Sequence, residues 1–253
     1  MRPWTKWLVV LAAPMLLASC VLVPGKFTST LDIRADRSFT FTYKGEVIGI
    51  DLAKDFGKGL GDPGKDDGDK SDGGDSDNDS SPSSYLTPAV WQKNTPDADA
   101  ASDSDAKFRA IAAALSKEAG YRSVTYKGDS VFDVDYAITG KLSYNFVYPY
   151  NLDAEAIFPF VVIELRGNSN VRMKAPGFAK DDDQSGGMGG DSSKAASKLD
   201  GTFTLTTDAE IVSQNNEDGA TKLPDGRRQI EWRATPLTKD APSAVLKLQP
   251  LGG

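Results

Sequence analysis

Two acidic stretches set the limits on how this chain can fold. Residues from about 57 to 105 and from 180 to 198 are rich in Gly, Asp and Ser. Such stretches carry too little apolar surface to offset the entropy lost when a chain becomes ordered. We therefore expect both to be disordered insertions. The packed core must then come from the remaining blocks, about 150 residues, which is the size of one ordinary domain.

Outside these stretches, apolar and polar residues alternate in a pattern that is typical of half-buried strands. The first block predicts a hairpin that turns at residues 36–38. Further alternating runs occur in the middle and last blocks. The apolar positions of the clearest strands are Leu31, Ile33, Phe39, Phe41, Tyr43, Phe132, Val134, Tyr136, Phe203, Leu205, Ile230 and Trp232.

One helix is predicted after the first insertion. Its apolar face is formed by Phe108, Ile111, Ala112, Leu115 and Ala119, and Gly120 is placed to end it. The elements together predict the class α+β: a mostly antiparallel sheet with one or two helices, interrupted by the acidic insertions.

The N-terminus has the three parts of a secretory signal. Arg2 and Lys6 are basic, residues 7–17 are apolar, and residues 17–20 read Leu-Ala-Ser-Cys. A membrane-spanning helix is the alternative, but it needs about 20 apolar residues, more than this run supplies. The segment resembles the signal peptide of bacterial lipoproteins. The resemblance implies that residues 1–19 are removed between Ser19 and Cys20, and that Cys20 receives a diacylglyceryl group.

This resemblance also implies a location in the cell envelope. Acyl chains anchor a protein stably when two or more are attached, so lipidated Cys20 would hold the chain on its membrane. In enteric bacteria, an aspartate directly after the lipidated cysteine resembles a signal for retention in the inner membrane. This chain has Val21 at that position. If the source is Gram-negative, the outer membrane is therefore favoured. We predict that residues 20–26 are a lipidated tether and that residues 27–253 form a single ectodomain.

The composition excludes several classes of function. The chain contains no histidine and Cys20 is its only cysteine, so histidine-based triads, histidine metal sites and disulfides are ruled out. Removal of residues 1–19 takes away two cations and changes the formal charge from −7 to −9. An acidic chain is a poor partner for nucleic acid. We expect no cofactor, no metal and no enzymatic activity.

Two groups of carboxylates have a spacing that suggests a calcium site or a catalytic pair. Residues 75–79 alternate oxygen ligands like the start of an EF-hand, but Ser80 and Leu86 replace its glycine and glutamate. A solvated linker with weak calcium affinity at most is the simpler interpretation. Asp133 and Asp135 share one face of a predicted strand and could serve glycoside hydrolysis, although solvent-facing alternation also explains them.

An aromatic segment is the best candidate for a ligand site. It could line an apolar pocket or enter the lipid headgroup layer, and packing between strands is the plainer alternative. Its members are Tyr144, Phe146, Tyr148, Tyr150, Phe158 and Phe160.

The order of elements resembles the LppM-like lipoproteins. A hairpin follows the cysteine, a helix ends at Gly120 and Tyr121, and residues 230–232 (Ile-Glu-Trp) precede a final apolar strand. The resemblance implies a small envelope ectodomain that binds lipids or glycolipids, without an assigned reaction; the acidic insertions depart from it. We therefore expect a non-enzymatic lipoprotein that binds a lipid, glycolipid or envelope component near the bilayer. A structural or assembly lipoprotein that binds a protein partner is the alternative.

Overall fold

The computed structural model describes residues 20–51, 98–149, 159–179 and 191–251. Two α-helices lie in these ranges, α1 (Ala98–Leu115) and α2 (Asp191–Ala196), with a 3-10 helix at Pro176–Phe178. The strands described are β1 (Cys20–Ile33), β2 (Ser38–Asp51), β3 (Tyr121–Gly128), β4 (Val131–Lys141), β5 (Phe146–Tyr148), β6 (Val161–Arg166), β7 (Asn170–Lys174), β8 (Asp200–Thr207), β9 (Glu210–Gln214), β10 (Thr221–Lys222), β11 (Arg228–Ala234) and β12 (Ser243–Lys247).

The strands form two sheets. The first has seven strands in the order β10-β11-β8-β1-β2-β4-β3, and the second has five in the order β5-β6-β7-β12-β9. The pairing of β1 with β8 is parallel, while β1 with β2 and β2 with β4 are antiparallel. The described fold is thus largely β. The α+β prediction holds only coarsely, because one face of each sheet is apolar and the two faces bury each other, which leaves the helices at the margin.

Aromatic side chains fill the space between the two sheets. Ring centroids of Phe41 on β2 and Tyr148 on β5 are 5.0 Å apart, and those of Tyr43 and Phe160 are 5.6 Å apart. The strand alternation predicted from the sequence is confirmed on β4, where Phe132, Val134 and Tyr136 are buried. Burying each large apolar side chain contributes about 1.5–3 kcal/mol, so this layer is the main source of stability.

The first strand begins earlier than the sequence predicts. Residues 20–26, expected to be a tether, belong to β1, and Cys20 lies opposite Asp51 at the end of β2. A β-bulge at Gly25 and Lys26 shifts the register, so that Val21 and Val23 before it face the opposite side from Phe27 and Leu31 after it. Gly45, with φ +150°, lies across from the bulge, where a Cβ atom would come within 2.2 Å of the Lys26 carbonyl oxygen.

The beginning of this hairpin has apolar residues on both faces. Val21, Ile48 and Ile50 pack with Ala195 of α2 on one face, and Leu22 packs against the main core on the other. We call the end of the first sheet at which β1 begins and β2 ends the Cys20 end. Apolar side chains on both faces explain why residues 20–26 form a strand and not a tether.

Both predicted insertions are partly helical. Helix α1 includes residues 98–105, because alanines favour a helix and acidic side chains near its N-terminus stabilise the helix dipole. It ends at Leu115, before the predicted Ala119, and Gly120 follows with φ +92°. Helix α2 lies within residues 180–198 and is held by the buried Ala195. The predictions for residues 52–97 and 180–190 fall outside the described residues.

Candidate functional site

The aromatic segment singled out in the sequence divides between the core and the surface. Tyr148 and Phe160 are buried, at 2% and 1% exposure, and Phe146 is half-buried against Phe39 and Phe41. Tyr144 is 76% exposed. The two remaining members, Tyr150 and Phe158, lie outside the described residues. Strand β5 produces this arrangement, because it pairs with β6 and directs Tyr148 into the space between the sheets.

A small apolar cavity lies beside Tyr148 and Phe160 near the Cys20 end. Its volume is about 10 Å³, which is roughly the space for one water molecule. In this conformation the cavity cannot hold an acyl chain. Its lining comes from five strands, helix α1 and the segments next to β5 and β6, and consists of Leu22, Val47, Leu115, Tyr121, Phe132, Val134, Tyr148, Pro149 and Phe160.

Helix α1 forms one wall of this cavity through few contacts. Its buried apolar side chains, among the described residues, are Phe108, Ala112 and Leu115, and the partly buried Ile111 packs against the same core. The Phe108 ring lies against Gly49, where a Cβ atom would be only 2.6 Å from the ring. Near the middle of the helix, the Tyr126 hydroxyl donates a hydrogen bond to the Asp105 carboxylate at 2.6 Å. These side chains and the hydrogen bond between Tyr126 and Asp105 attach the described part of the helix to the sheet.

Tyrosine hydroxyls are the polar groups nearest to the cavity. Burial raises the pKa of Tyr121, and the neighbouring Tyr136 and Glu118 raise it further. Burial, followed by the nearby Tyr121, Tyr43 and Tyr136, also raises the pKa of Tyr148 well above its usual range. Tyrosine hydroxyls are neutral at physiological pH, and burial keeps these two neutral to still higher pH. They can donate or accept hydrogen bonds but cannot act as bases there.

The carboxylates considered for catalysis lie on a solvent-facing surface. Asp133 is 3.6 Å from the Lys127 ammonium, and Asp135 is 3.9 Å from the Arg122 guanidinium, both on the neighbouring strand β3. Each of these carboxylates thus has a cation partner at the surface, as the solvent-facing interpretation predicts. The calcium-like residues 75–79 lie outside the described ranges, and within those ranges no group of three or more acidic or cysteine side chains could hold a metal.

The predicted lipidation site is also the first described residue. Cys20 opens β1, whereas Ser19 lies outside the described ranges. Among the described helices, none is both long and apolar enough to cross a membrane. Leu22 lines the cavity only two residues after Cys20, which corresponds to about 7 Å along the strand.

Sequence reasoning missed the aliphatic part of the cavity lining. Leu22 lay within the predicted tether, and Val47 lay at the end of the predicted hairpin. The signal that could have revealed them is the match between residues 21–23 and residues 47–50, two apolar runs that flank the hairpin symmetrically. The bulge hides this match, because it changes the alternation in β1 but not in β2.

Comparison with solved structures gives a structural likeness. No family model matches the chain, and no curated protein matches it in sequence. The chain is similar to the folded domain of the LppM protein of Mycobacterium tuberculosis, solved by NMR, with 14% identity and a TM-score of 0.30. The alignment covers 90% of this chain and 91% of that one. At this low TM-score, the likeness does not assign the chain to a family.

Proposed function

We propose that this protein is a membrane-anchored lipoprotein of the cell envelope that binds a lipid, glycolipid or other envelope component near the bilayer. The anchor would be the diacylglyceryl group on Cys20, for which residues 1–20 supply the signal. The observation that carries the binding proposal is the position of the apolar cavity: Leu22 lines it, two residues from the lipidation site.

The start of β1 supports a close approach to the membrane. Because Cys20 is already part of the strand, no spacer separates the lipidated residue from the folded sheet. Acyl chains on Cys20 would hold the Cys20 end of the fold at the bilayer surface. A hydrocarbon chain leaving the membrane would then meet the apolar side chains around Leu22 before any other part of the core.

Ligand entry would require a movement of helix α1. The cavity of about 10 Å³ is too small for an acyl chain, but the helix contributes a single side chain, Leu115, to its lining. An acyl chain could replace Phe108 and Leu115 against the same surface. Each buried methylene contributes about 0.8 kcal/mol, so a chain of several methylenes would offset the loss of those contacts.

A binding role also agrees with the chemistry that the chain offers. It has no histidine, and its one cysteine would be consumed by the lipid. The tyrosine hydroxyls at the cavity are held neutral by burial. These groups suit the recognition of a polar headgroup or a glycan by hydrogen bonds, and we propose no reaction for them.

Two measurements test the proposal. Labelling of growing cells with an alkyne analogue of palmitate should mark the wild-type protein and leave the Cys20→Ser variant unlabelled. Native mass spectrometry of the Cys20→Ser chain after incubation with a membrane extract should show a bound lipid. The substitution Phe132→Trp, which fills the cavity, should reduce the amount of bound lipid that is recovered. Val212→Trp, on the far edge of the second sheet, should leave that amount unchanged.

Recovery of the Cys20→Ser chain without lipid would overturn the lipid-binding part. If crosslinking in intact cells then captured one discrete protein at the Cys20 end, the structural or assembly role would replace it. Equal labelling of wild type and Cys20→Ser would overturn the anchor.

A further inference from the structure

An open groove crosses the outer face of the first sheet, on the side away from the second sheet. It consists of two adjoining hollows of about 360 and 520 Å³, which share Lys26 and Asp200 in their walls. Strand register places four polar residues in one row across its floor. Lys44, Thr28, Thr202 and Arg233 lie opposite one another on β2, β1, β8 and β11.

Cations outnumber carboxylates along this groove. The lining contains Lys26, Lys44, Lys198 and Arg233, against two carboxylates, Asp200 and Glu46. Arg233 donates to the Asp200 carboxylate at 2.5 Å, and Glu46 accepts the main-chain N–H of Lys26 at 3.4 Å. On β4, Asp135 lies opposite Lys44, but its carboxylate is 3.9 Å from the Arg122 guanidinium.

The three lysines are left without a partner in the described part of the chain. No described carboxylate lies within 4.0 Å of the ammonium groups of Lys26, Lys44 or Lys198, and all three residues are exposed. Like charges on neighbouring strands destabilise a sheet. Because the whole chain carries a formal charge of −7, a local excess of cations needs a local reason. A bound anion would supply it.

The groups around the excess charge fit a phosphate. Lysine ammonium groups neutralise its charge, an arginine offers a planar pair of donors, and threonine hydroxyls donate to its remaining oxygens. Thr28 and Thr202 lie side by side on β1 and β8 between Lys44 and Arg233. We propose that this groove binds a phosphate group, carried by a membrane lipid headgroup or by a soluble molecule.

The groove is separate from the cavity described above. The two lie on opposite faces of the first sheet, so one ligand does not fill both. Lys26 follows Cys20 by six residues on β1, which corresponds to about 20 Å along the strand. The phosphate site therefore goes beyond the proposed lipid-binding cavity, and the two can be tested independently.

The test uses the full chain with Cys20→Ser, and compares a double variant with a matched control. Lys26→Ala with Lys44→Ala removes two groove cations. Lys174→Ala with Lys222→Ala removes two exposed lysines from β7 and β10, with the same change in net charge. Binding is measured by NMR titration with inorganic phosphate, and by sedimentation with phosphatidylcholine vesicles containing either phosphatidylglycerol or an equal charge of oleate.

We expect phosphate to shift the amide signals of Thr28 and Thr202. The groove pair should weaken phosphate binding at least about tenfold, because two charge-assisted hydrogen bonds to the anion are lost, while the control pair should change it less than about twofold. If the groove variant no longer sediments with phosphatidylglycerol vesicles but still behaves like the parent chain with oleate vesicles, the source of the phosphate is a lipid headgroup. Unchanged sedimentation with weakened phosphate binding would identify a soluble source.

No binding of phosphate by the parent chain, or equal weakening by both pairs of substitutions, would overturn the site. Equal binding to oleate and phosphatidylglycerol vesicles would overturn the lipid headgroup as the source of the phosphate. None of these results would contradict the lipid-binding cavity, because lipid bound there is measured separately, by native mass spectrometry of the groove variant.

Discussion

The guanidinium of Arg37 donates a hydrogen bond to the main-chain oxygen of Asn168, 2.6 Å away and 131 residues later in the sequence. The same side chain donates to the carbonyl oxygens of Leu142 at 2.9 Å and Gln249 at 2.8 Å. Arg37 is only 2% exposed and adopts φ +75° in the β1–β2 turn. One buried side chain thus connects this turn to three segments at the end of the fold opposite Cys20.

Replacement of this arginine should destabilise the whole domain. Arg37→Met keeps much of the aliphatic stem but takes one donor away from the buried carbonyl oxygen of Leu142 and from the partly buried hydrogen bonds to Asn168 and Gln249. We expect a loss of about 3 kcal/mol in the free energy of unfolding, measured with urea. Arg122→Met removes an exposed guanidinium and should cost less than about 0.5 kcal/mol. Equal losses for the two variants would contradict the role given to Arg37.

Gly49→Ala should loosen helix α1. The added methyl would lie 2.6 Å from the Phe108 ring, which must then leave its place against the sheet. We expect faster amide hydrogen exchange over residues 104–115, while the exchange of β1 and β8 stays close to that of wild type. Gly219→Ala, where a Cβ atom would have no neighbour within 4 Å but the φ of +73° strains any side chain, is the control for a general loss of stability. Unchanged exchange in α1 would show that Phe108 does not hold the helix.

Ionisation of Tyr148 should make the fold sensitive to high pH. Burial raises the pKa of this hydroxyl in the folded state well above its ordinary value of 10.0. Its stabilising effect is therefore complete below pH 10 and is lost as the pH rises, because the unfolded chain releases the proton first. Above pH 10 the loss is about 1.4 kcal/mol per pH unit.

Tyr148→Phe removes this proton and isolates its effect. The difference in unfolding free energy between wild type and Tyr148→Phe should be constant from pH 7 to pH 9. Above pH 10 it should shift in favour of the variant, as followed by urea unfolding at each pH. A constant difference up to pH 11 would show that the hydroxyl is not desolvated.

Neutralising the paired carboxylates of β4 should have little effect on stability. Asp133 and Asp135 make ion pairs at 3.6 and 3.9 Å with partners whose side chains are more than half exposed. Such pairs contribute about 0–1 kcal/mol each. The double variant Asp133→Asn with Asp135→Asn should have an unfolding free energy within about 2 kcal/mol of wild type. A gain of several kcal/mol would instead indicate carboxylates held under strain, as in a catalytic site.

The edge of the second sheet shows how an exposed apolar residue can be structural. Val212 is 55% exposed on β9, and it lies at the register shift between β9 and β12. A bulge at a sheet edge disturbs the ladder to which another strand would have to pair. We therefore assign Val212 no partner and use it as a control position.

Alternation in the sequence was sufficient to locate most strands. The buried positions Phe132, Val134 and Tyr136 on β4 follow directly from it, because successive side chains of a strand point to opposite faces. The helix was likewise visible from Phe108, Ala112 and Leu115. Cys20, as the start of the mature chain, was a prediction from the signal sequence alone and is not tested by the fold.

Strand partnership was decided only by the tertiary structure. Strand β1 pairs in parallel with β8, from Lys26 opposite Asp200 to Ile33 opposite Thr207, although the whole middle of the chain lies between them. Local periodicity carries no information on such a contact, because any strand with one apolar face could occupy that position. The division into two sheets has the same origin: each apolar face needs another apolar face, and shape complementarity selects which one.

The candidate sites divide in the same way. The sequence determined which side chains are aromatic, basic or absent, and so it determined that the protein has no histidine chemistry and that Cys20 is its single thiol. It could not place Leu22 beside Phe160, or Lys44 in one row with Arg233, because each pair meets only through strands that are distant in the chain. Such sites exist only once long-range pairing and burial have fixed the register.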